Sequence, residues 1–200
     1  MRTLHADLTT AQRAATRRPF VRLEFNSRDR QTTRIYSPLT LYESWSTGAQ
    51  IGKTLSGAGW LSQGFTPSVT HSVTKIEIKG YRVGSPGTIT ASIRAVDGSG
   101  FPTGSDINGA TGTINGSLLT TDTDGQKLEF LLSTIVKVES GTTYAIVIRA
   151  TAGSGGNTFT WLGDNNAGYS GGRPGTSSNS GSSWVSAGSD DMWFWEYGML

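Results

Sequence analysis

Between Thr88 and Ala95 the chain alternates without a fault. Ile89, Ala91, Ile93 and Ala95 fall on one side, and Thr88, Thr90, Ser92 and Arg94 on the other. A period of two marks a strand with one buried face. The preceding stretch, from Val73 to Val83, is also β-like, with Ile76 and Ile78 in register. Val83-Gly84-Ser85-Pro86-Gly87 lies between the two runs. Its glycines allow positive φ and its proline presets a turn. The pattern predicts an antiparallel hairpin over Ser72–Ala95, with the rest of the chain completing a sandwich over it.

Further strands are predicted at Gln50–Leu55, Leu61–Phe65, Thr111–Ile114, Lys127–Leu132, Thr142–Ala150, Thr158–Leu162 and Met192–Tyr197. Turn residues such as Asp97-Gly98-Ser99-Gly100, Asp124-Gly125 and Ser140-Gly141 separate them. Short strands divided by frequent glycine turns predict an all-β fold, a jelly-roll-like antiparallel β-sandwich over residues 47–200. Residues 1–46 read differently. A short helix is predicted over 1–18, capped by Asp7 or Thr9 and ended by Pro19. A small hairpin follows, Phe20–Phe25 with Gln31–Tyr36, and then a connection over 37–46. Ala167–Ser189 is rich in Gly and Ser and reads as an elaborated loop.

Composition agrees with an all-β fold. Twenty-seven glycines without a three-residue period exclude collagen and favour a turn-rich β protein. There is no cysteine, so disulfides, thiolate metal sites and a cysteine nucleophile are excluded. That absence favours a bacterial or phage product. The opening residues contain no apolar run of signal-peptide type, and no run of 18 apolar residues predicts a membrane span. The net charge of +2 hides an asymmetry. Residues 1–36 carry eight arginines against three acids, a balance of +5, and the remainder carries −3. Arginine makes planar, bidentate contacts suited to interfaces. Arg13, Arg17, Arg18, Arg22 and Arg34 are therefore docking candidates. Without a readout motif, nucleic acid is not the expected partner.

Candidate chemistry is sparse. The two histidines, His5 and His71, lie far apart in the predicted organisation, and no nucleophile elbow or phosphate loop is present. Paired carboxylates for glycoside hydrolysis could come from Asp122/Asp124, Asp190/Asp191 or Asp164. Asp122-Thr123-Asp124-Gly125 could aim two carboxylates at a Ca2+ ion, or could simply form an Asx turn. No other cofactor is expected. Aromatic residues cluster late in the chain: Trp161, Tyr169, Trp184, Trp193, Trp195 and Tyr197. Flat rings stack on sugar C–H faces, and Asp164, Asn165 and Arg173 could bind hydroxyls. Trp161, Asp164, Asn165, Tyr169, Arg173 and Trp184 are the glycan-binding candidates. Trp193 and Trp195 could equally close the core.

The runs Gln63-Gly64-Phe65-Thr66-Pro67, Tyr81 to Gly87, Gly100 to Ser105, Ser140 to Val147 and Tyr169-Ser170-Gly171-Gly172 resemble a recurring jelly-roll module. Such modules occur in bacterial surface proteins and in phage tail or adhesion proteins, and are similar to carbohydrate-binding-module sandwiches. The stretch from Met1 through Arg13-Ala14-Ala15 and Pro19 to Leu23 resembles the opening of phage tail-region structural proteins. Together these resemblances imply a non-enzymatic virion protein, homo-oligomeric among other virion proteins, without membrane insertion. Its N-terminal segment would dock into the particle and its sandwich would be displayed, binding host-surface glycan. Capsid decoration, a carbohydrate-binding module of a secreted bacterial protein and a small glycan hydrolase are the alternatives.

Overall fold

The computed structural model describes residues 22–26, 31–35, 39–165 and 168–200. The chain divides into two compact units, Met1–Pro38 and Leu39–Leu200. In the first, β1 (Arg22–Asn26) pairs antiparallel with β2 (Gln31–Ile35), Arg22 opposite Ile35 and Asn26 opposite Gln31. This is the small hairpin that the sequence predicts. The helix expected over 1–18, with Arg13, Arg17 and Arg18, lies outside the described residues, as do the side chains of Arg22 and Arg34.

The second unit is all-β. Its strands are β3 (Thr40–Trp45), β4 (Gln50–Leu55), β5 (Trp60–Phe65), β6 (His71–Val83), β7 (Thr88–Val96), β8 (Pro102–Thr103) and β9 (Thr111–Asn115). They continue with β10 (Gln126–Val138), β11 (Tyr144–Arg149), β12 (Thr158–Asp164), β13 (Pro174–Ser177), β14 (Val185–Ser186), β15 (Asp191–Met192) and β16 (Phe194–Met199). Two seven-stranded antiparallel sheets result. The first runs β15-β12-β6-β16-β3, with β10 on β6 and β4 on β12. The second runs β14-β13-β5-β11-β7-β8, with β9 on β7.

The apolar faces of both sheets meet in one core. Ile76, Ile78, Phe130 and Phe194 come from the first sheet, and Phe65, Ile89, Ile93 and Ile146 from the second; all are fully buried. Phe65 and Phe194 touch across the gap, ring centroids 6.1 Å apart. Burying each such side chain contributes roughly 1.5–3 kcal/mol. The arrangement is β-sandwich-like, as the alternation in the sequence predicts.

Three expectations change. Ser72–Ala95 is not a hairpin. β6 pairs with β10, β16 and β12, whereas β7 pairs with β11, β9 and β8, so the two strands lie in opposite sheets. A two-residue primed turn would fold β7 back along β6. Here the longer link has Gly84 at φ 60° and Gly87 at φ 74° and turns the chain across the sandwich. A side chain at Gly84 would meet Asn157 at 2.5 Å. Second, residues 40–45 are a strand rather than a connection. β3 pairs with β16, Trp45 opposite Phe194 and Leu41 opposite Tyr197, so the compact unit starts at Leu39 instead of residue 47. As an edge strand it is exposed at Thr40 and Leu41 and half-buried from Tyr42 to Trp45, and it carries no clean alternation. Third, the last strand is broken at Trp193. β15 pairs with β12 and β16 with β6, and Trp193 N–H donates to the Leu162 carbonyl at 2.9 Å.

Candidate functional site

Four connections meet at one end of the second sheet and border an open, shallow cleft of about 240 Å3. Thr66 follows β5, Gly100 lies in the β7–β8 turn, and Thr143 precedes β11. Ser170, Gly171, Gly172 and Arg173 come from the β12–β13 connection. This connection begins the glycine-rich segment that the sequence reads as an elaborated loop; the structure corrects that reading, because the segment also holds β13, paired with β5, and β14, paired with β13.

Close backbone approach fixes the cleft wall. Gly64 N–H donates to the Arg173 carbonyl at 2.9 Å. A Cβ on Gly172 would lie 2.3 Å from the Gly64 carbonyl carbon, so both positions need glycine. The hydroxyls order themselves by elimination. Thr66 Oγ1 donates its only proton to the Gly171 carbonyl at 2.6 Å. The Thr143 hydroxyl, 2.8 Å away, therefore donates to Thr66 and keeps acceptor capacity. The facing turn is tied by Asp97, whose Oδ1 accepts from Ser99 N–H at 2.8 Å and Phe101 N–H at 3.0 Å.

Arg173 is exposed on this wall. Its guanidinium stands 4.4 Å from the Phe101 ring centroid, and its Nη1 donates to the Ser99 carbonyl at 3.3 Å. Phe101 and Trp184 both lie against Gly175 of β13, where an added Cβ would meet them at 3.2 and 3.4 Å. Trp184 is half-buried, and its indole N–H is buried without a hydrogen-bond partner. Tyr169 backs the cleft. Its hydroxyl lies 2.4 Å from where a Gly171 Cβ would sit, near the Thr66 main chain but without a hydrogen bond of good geometry. Its ring packs edge-on to Phe194 at 5.3 Å. Burial first, then the charge of Glu43, holds its pKa well above the ordinary tyrosine value.

The structure thus brings Tyr169, Arg173 and Trp184 to one region. It places the other glycan-binding candidates elsewhere. Trp161 is fully buried in the core, its indole N–H donating to the Trp193 carbonyl at 2.9 Å, so it offers no ring to a ligand. Asp164 is fully buried at the end of β12 and accepts from the Trp45 indole N–H. Asn165 is exposed beside it, on the first sheet's side. Trp193 is buried and donates to the Thr47 carbonyl at 3.0 Å. Trp195 and Tyr197 are half-buried on the outer face, under Lys127 at 3.9 Å and Lys75 at 4.0 Å. Met192 and Phe194 are the core-facing set.

The carboxyl groups of Asp122, Asp164, Asp190 and Asp191 are engaged in structure. Asp122 Oδ1 accepts from Asp124 N–H at 3.0 Å and its carbonyl from Gly125 N–H at 2.9 Å, an exposed Asx turn. Among the described residues no group of three or more His, Cys, Asp or Glu side chains could hold a metal ion. Asp190 pairs with Lys53 at 2.6 Å. Asp191 accepts from Tyr169 N–H at 2.9 Å and faces Gln63 at 3.4 Å. Burial, with the charges of Asp164 and Asp190, raises the pKa of Asp191 despite these hydrogen bonds.

Two charged constellations escape sequence reasoning. Asp106 accepts from Arg149 at 2.6 Å and Arg94 at 2.8 Å, and both guanidiniums stand about 5 Å over Trp60. His71 and Glu196 form a pair with fully buried side chains, 2.7 Å apart, with Tyr42 stacked on the imidazole at 3.8 Å. Each set joins residues far apart in the chain, so no local motif announces it. Phe101 was also missed as a site residue, although the Gly98-Ser99-Gly100 turn before it is visible in the sequence.

No protein-family model matches the chain, and no curated protein matches it either.

Proposed function

We propose that this chain is a non-enzymatic structural protein of a phage particle, of the tail or tail-tip region. The segment 1–38 docks into the particle, and a jelly-roll-like sandwich is displayed and binds host-surface glycan. The observation that carries the reading is the cleft on the loops of a self-contained sandwich. It offers a hydroxyl, main-chain groups and a cation beside an aromatic ring, the chemistry that polyhydroxylated ligands need. The separate N-terminal unit, with its arginine excess, supports docking. Wholly antiparallel sheets and the crossing from β6 to β7 support the jelly-roll reading. Many weak sites on one particle would combine into strong attachment.

Light scattering and a glycan array test it. The full chain is expected to self-associate, a chain begun at Leu39 to be monomeric, and the multivalent full chain to bind glycan. A full chain that stays monomeric at high concentration, joins no particle and binds no glycan overturns it.

A further inference from the structure

Most cationic side chains of the described residues outside the first unit are spent. Arg94 and Arg149 hold Asp106. Lys53 pairs with Asp190, Lys75 and Lys127 with Glu77, and Lys137 with Glu139. Arg82 donates to the Leu119 and Gly84 carbonyls, and Lys79 stands over Trp193 at 5.3 Å. Like Lys79 and Arg82, Arg173 has no carboxylate within ion-pair distance among the described residues; of these three it alone lines the cleft. The cleft lining has no acidic side chain, so its only formal charge is positive. The nearby Asp97 carboxylate is turned to the Ser99 and Phe101 amides.

Arg173 is also held in place. Its main chain is fixed by Gly64, its Cδ lies 3.3 Å from the Cβ position of Gly100, and its guanidinium rests on Phe101 with one N–H on the Ser99 carbonyl. Four of the five N–H donors remain for a ligand. Fixing the side chain beforehand removes much of the entropy cost of binding. A guanidinium fork matches the two oxygens of a carboxylate. At about 240 Å3 the open cleft is below the usual range for drug-sized ligands, so it can contact only the end of a glycan.

Resting on the glycan-binding reading above, we infer that the cleft selects a glycan whose terminal sugar carries a carboxylate, with Arg173 as the recognition residue. Thr143, with its free acceptor capacity, takes a sugar hydroxyl.

The test uses the full chain on an array of uronic-acid- and nonulosonic-acid-terminated glycans, each printed beside its methyl ester. At least one carboxylated glycan is expected to bind. Its ester should bind about tenfold or more weaker, the loss of a charge-assisted hydrogen bond. Arg173→Gln should erase that difference while leaving the melting temperature unchanged, and Arg173→Lys should restore only part of it. Equal binding of acids and esters, unaffected by Arg173→Gln, overturns the inference and leaves glycan binding standing. Binding of esters or neutral glycans alone does the same. Silence of the whole array overturns both.

Discussion

At the residue scale, side chains of one type divide by role. Trp161 and Trp184 read alike in the sequence, each a tryptophan near glycine, Asp or Ser. The first is in the core and donates to a backbone carbonyl, and the second is half-buried on the second sheet. Trp161→Ala is expected to cost about 3–5 kcal/mol in urea denaturation, the sum of lost transfer energy and a cavity. Any glycan binding by the fraction that stays folded should be unchanged. Loss of binding at full stability would return Trp161 to the site. His71 is the other case. The Val69 carbonyl can only accept, so the imidazole nitrogen facing it at 2.7 Å carries a proton, and the other shares one with Glu196. Glu196 keeps a buried second oxygen, near the Glu43 main chain but without a hydrogen bond of good geometry.

At the element scale, the edge strand β3 is the finding with the widest consequence. It covers one side of β16 and supplies Trp45, whose indole donates to buried Asp164 and whose ring contacts Tyr169 at 5.8 Å. Tyr169 in turn backs the cleft. A chain begun at Thr47 is therefore expected to be less stable than one begun at Leu39 by at least about 1–3 kcal/mol. That is the cost of removing one donor from a buried carboxylate, before any loss of strand pairing. Urea midpoints of the two chains check this. Equal midpoints would make β3 an ornament rather than part of the sandwich.

At the scale of the whole molecule, two sets of ionisable groups tilt stability in opposite directions with pH. Burial by itself lowers the pKa of His71, but hydrogen bonds to Glu196 and the Val69 carbonyl outweigh it and raise the pKa above 6.5. Burial raises Glu196 above 4.5 and His71 offsets only part of this. Both folded pKa values are raised, so the folded state holds more protons, and this stability is lost as pH rises from the weakly acidic range past 6.5. Glu77 and Asp106 run the other way. Burial opposes ionisation, but Lys127 and Lys75 in one case and Arg149 and Arg94 in the other overcome it and hold the pKa values below 4.5 and 3.8. Their stability is lost as pH falls through that range. Melting temperature is expected to peak between about pH 4.5 and 6.5 and to decline above it. Glu196→Gln should flatten the decline on the alkaline side, because His71 then loses its counter-charge. An unchanged slope in that variant would remove the pair from the explanation.

Alternation and glycine turns are local properties of the chain, so the all-β class, the small N-terminal hairpin and the positions of β4 to β7, β9 to β12 and the β15–β16 segment are legible in the sequence, whereas β3, β8, β13 and β14 are not. The β7 pattern, Ile89 to Ala95, says that one face is buried, and three of its four apolar residues are fully so. It cannot say which sheet the strand joins, since either sheet would bury the same face. That is why the link at Gly84–Gly87 looked like a hairpin turn and is a crossing between sheets. Composition brought attention to Tyr169, Arg173 and Trp184 but also to Trp161 and Asp164, because residue type carries no information about burial. Only the tertiary structure decided which rings face the core, which carboxylates are engaged, and that Arg173 stands over Phe101 beside the cleft. Those outcomes depend on contacts between residues dozens of positions apart, and nothing local in a chain records them.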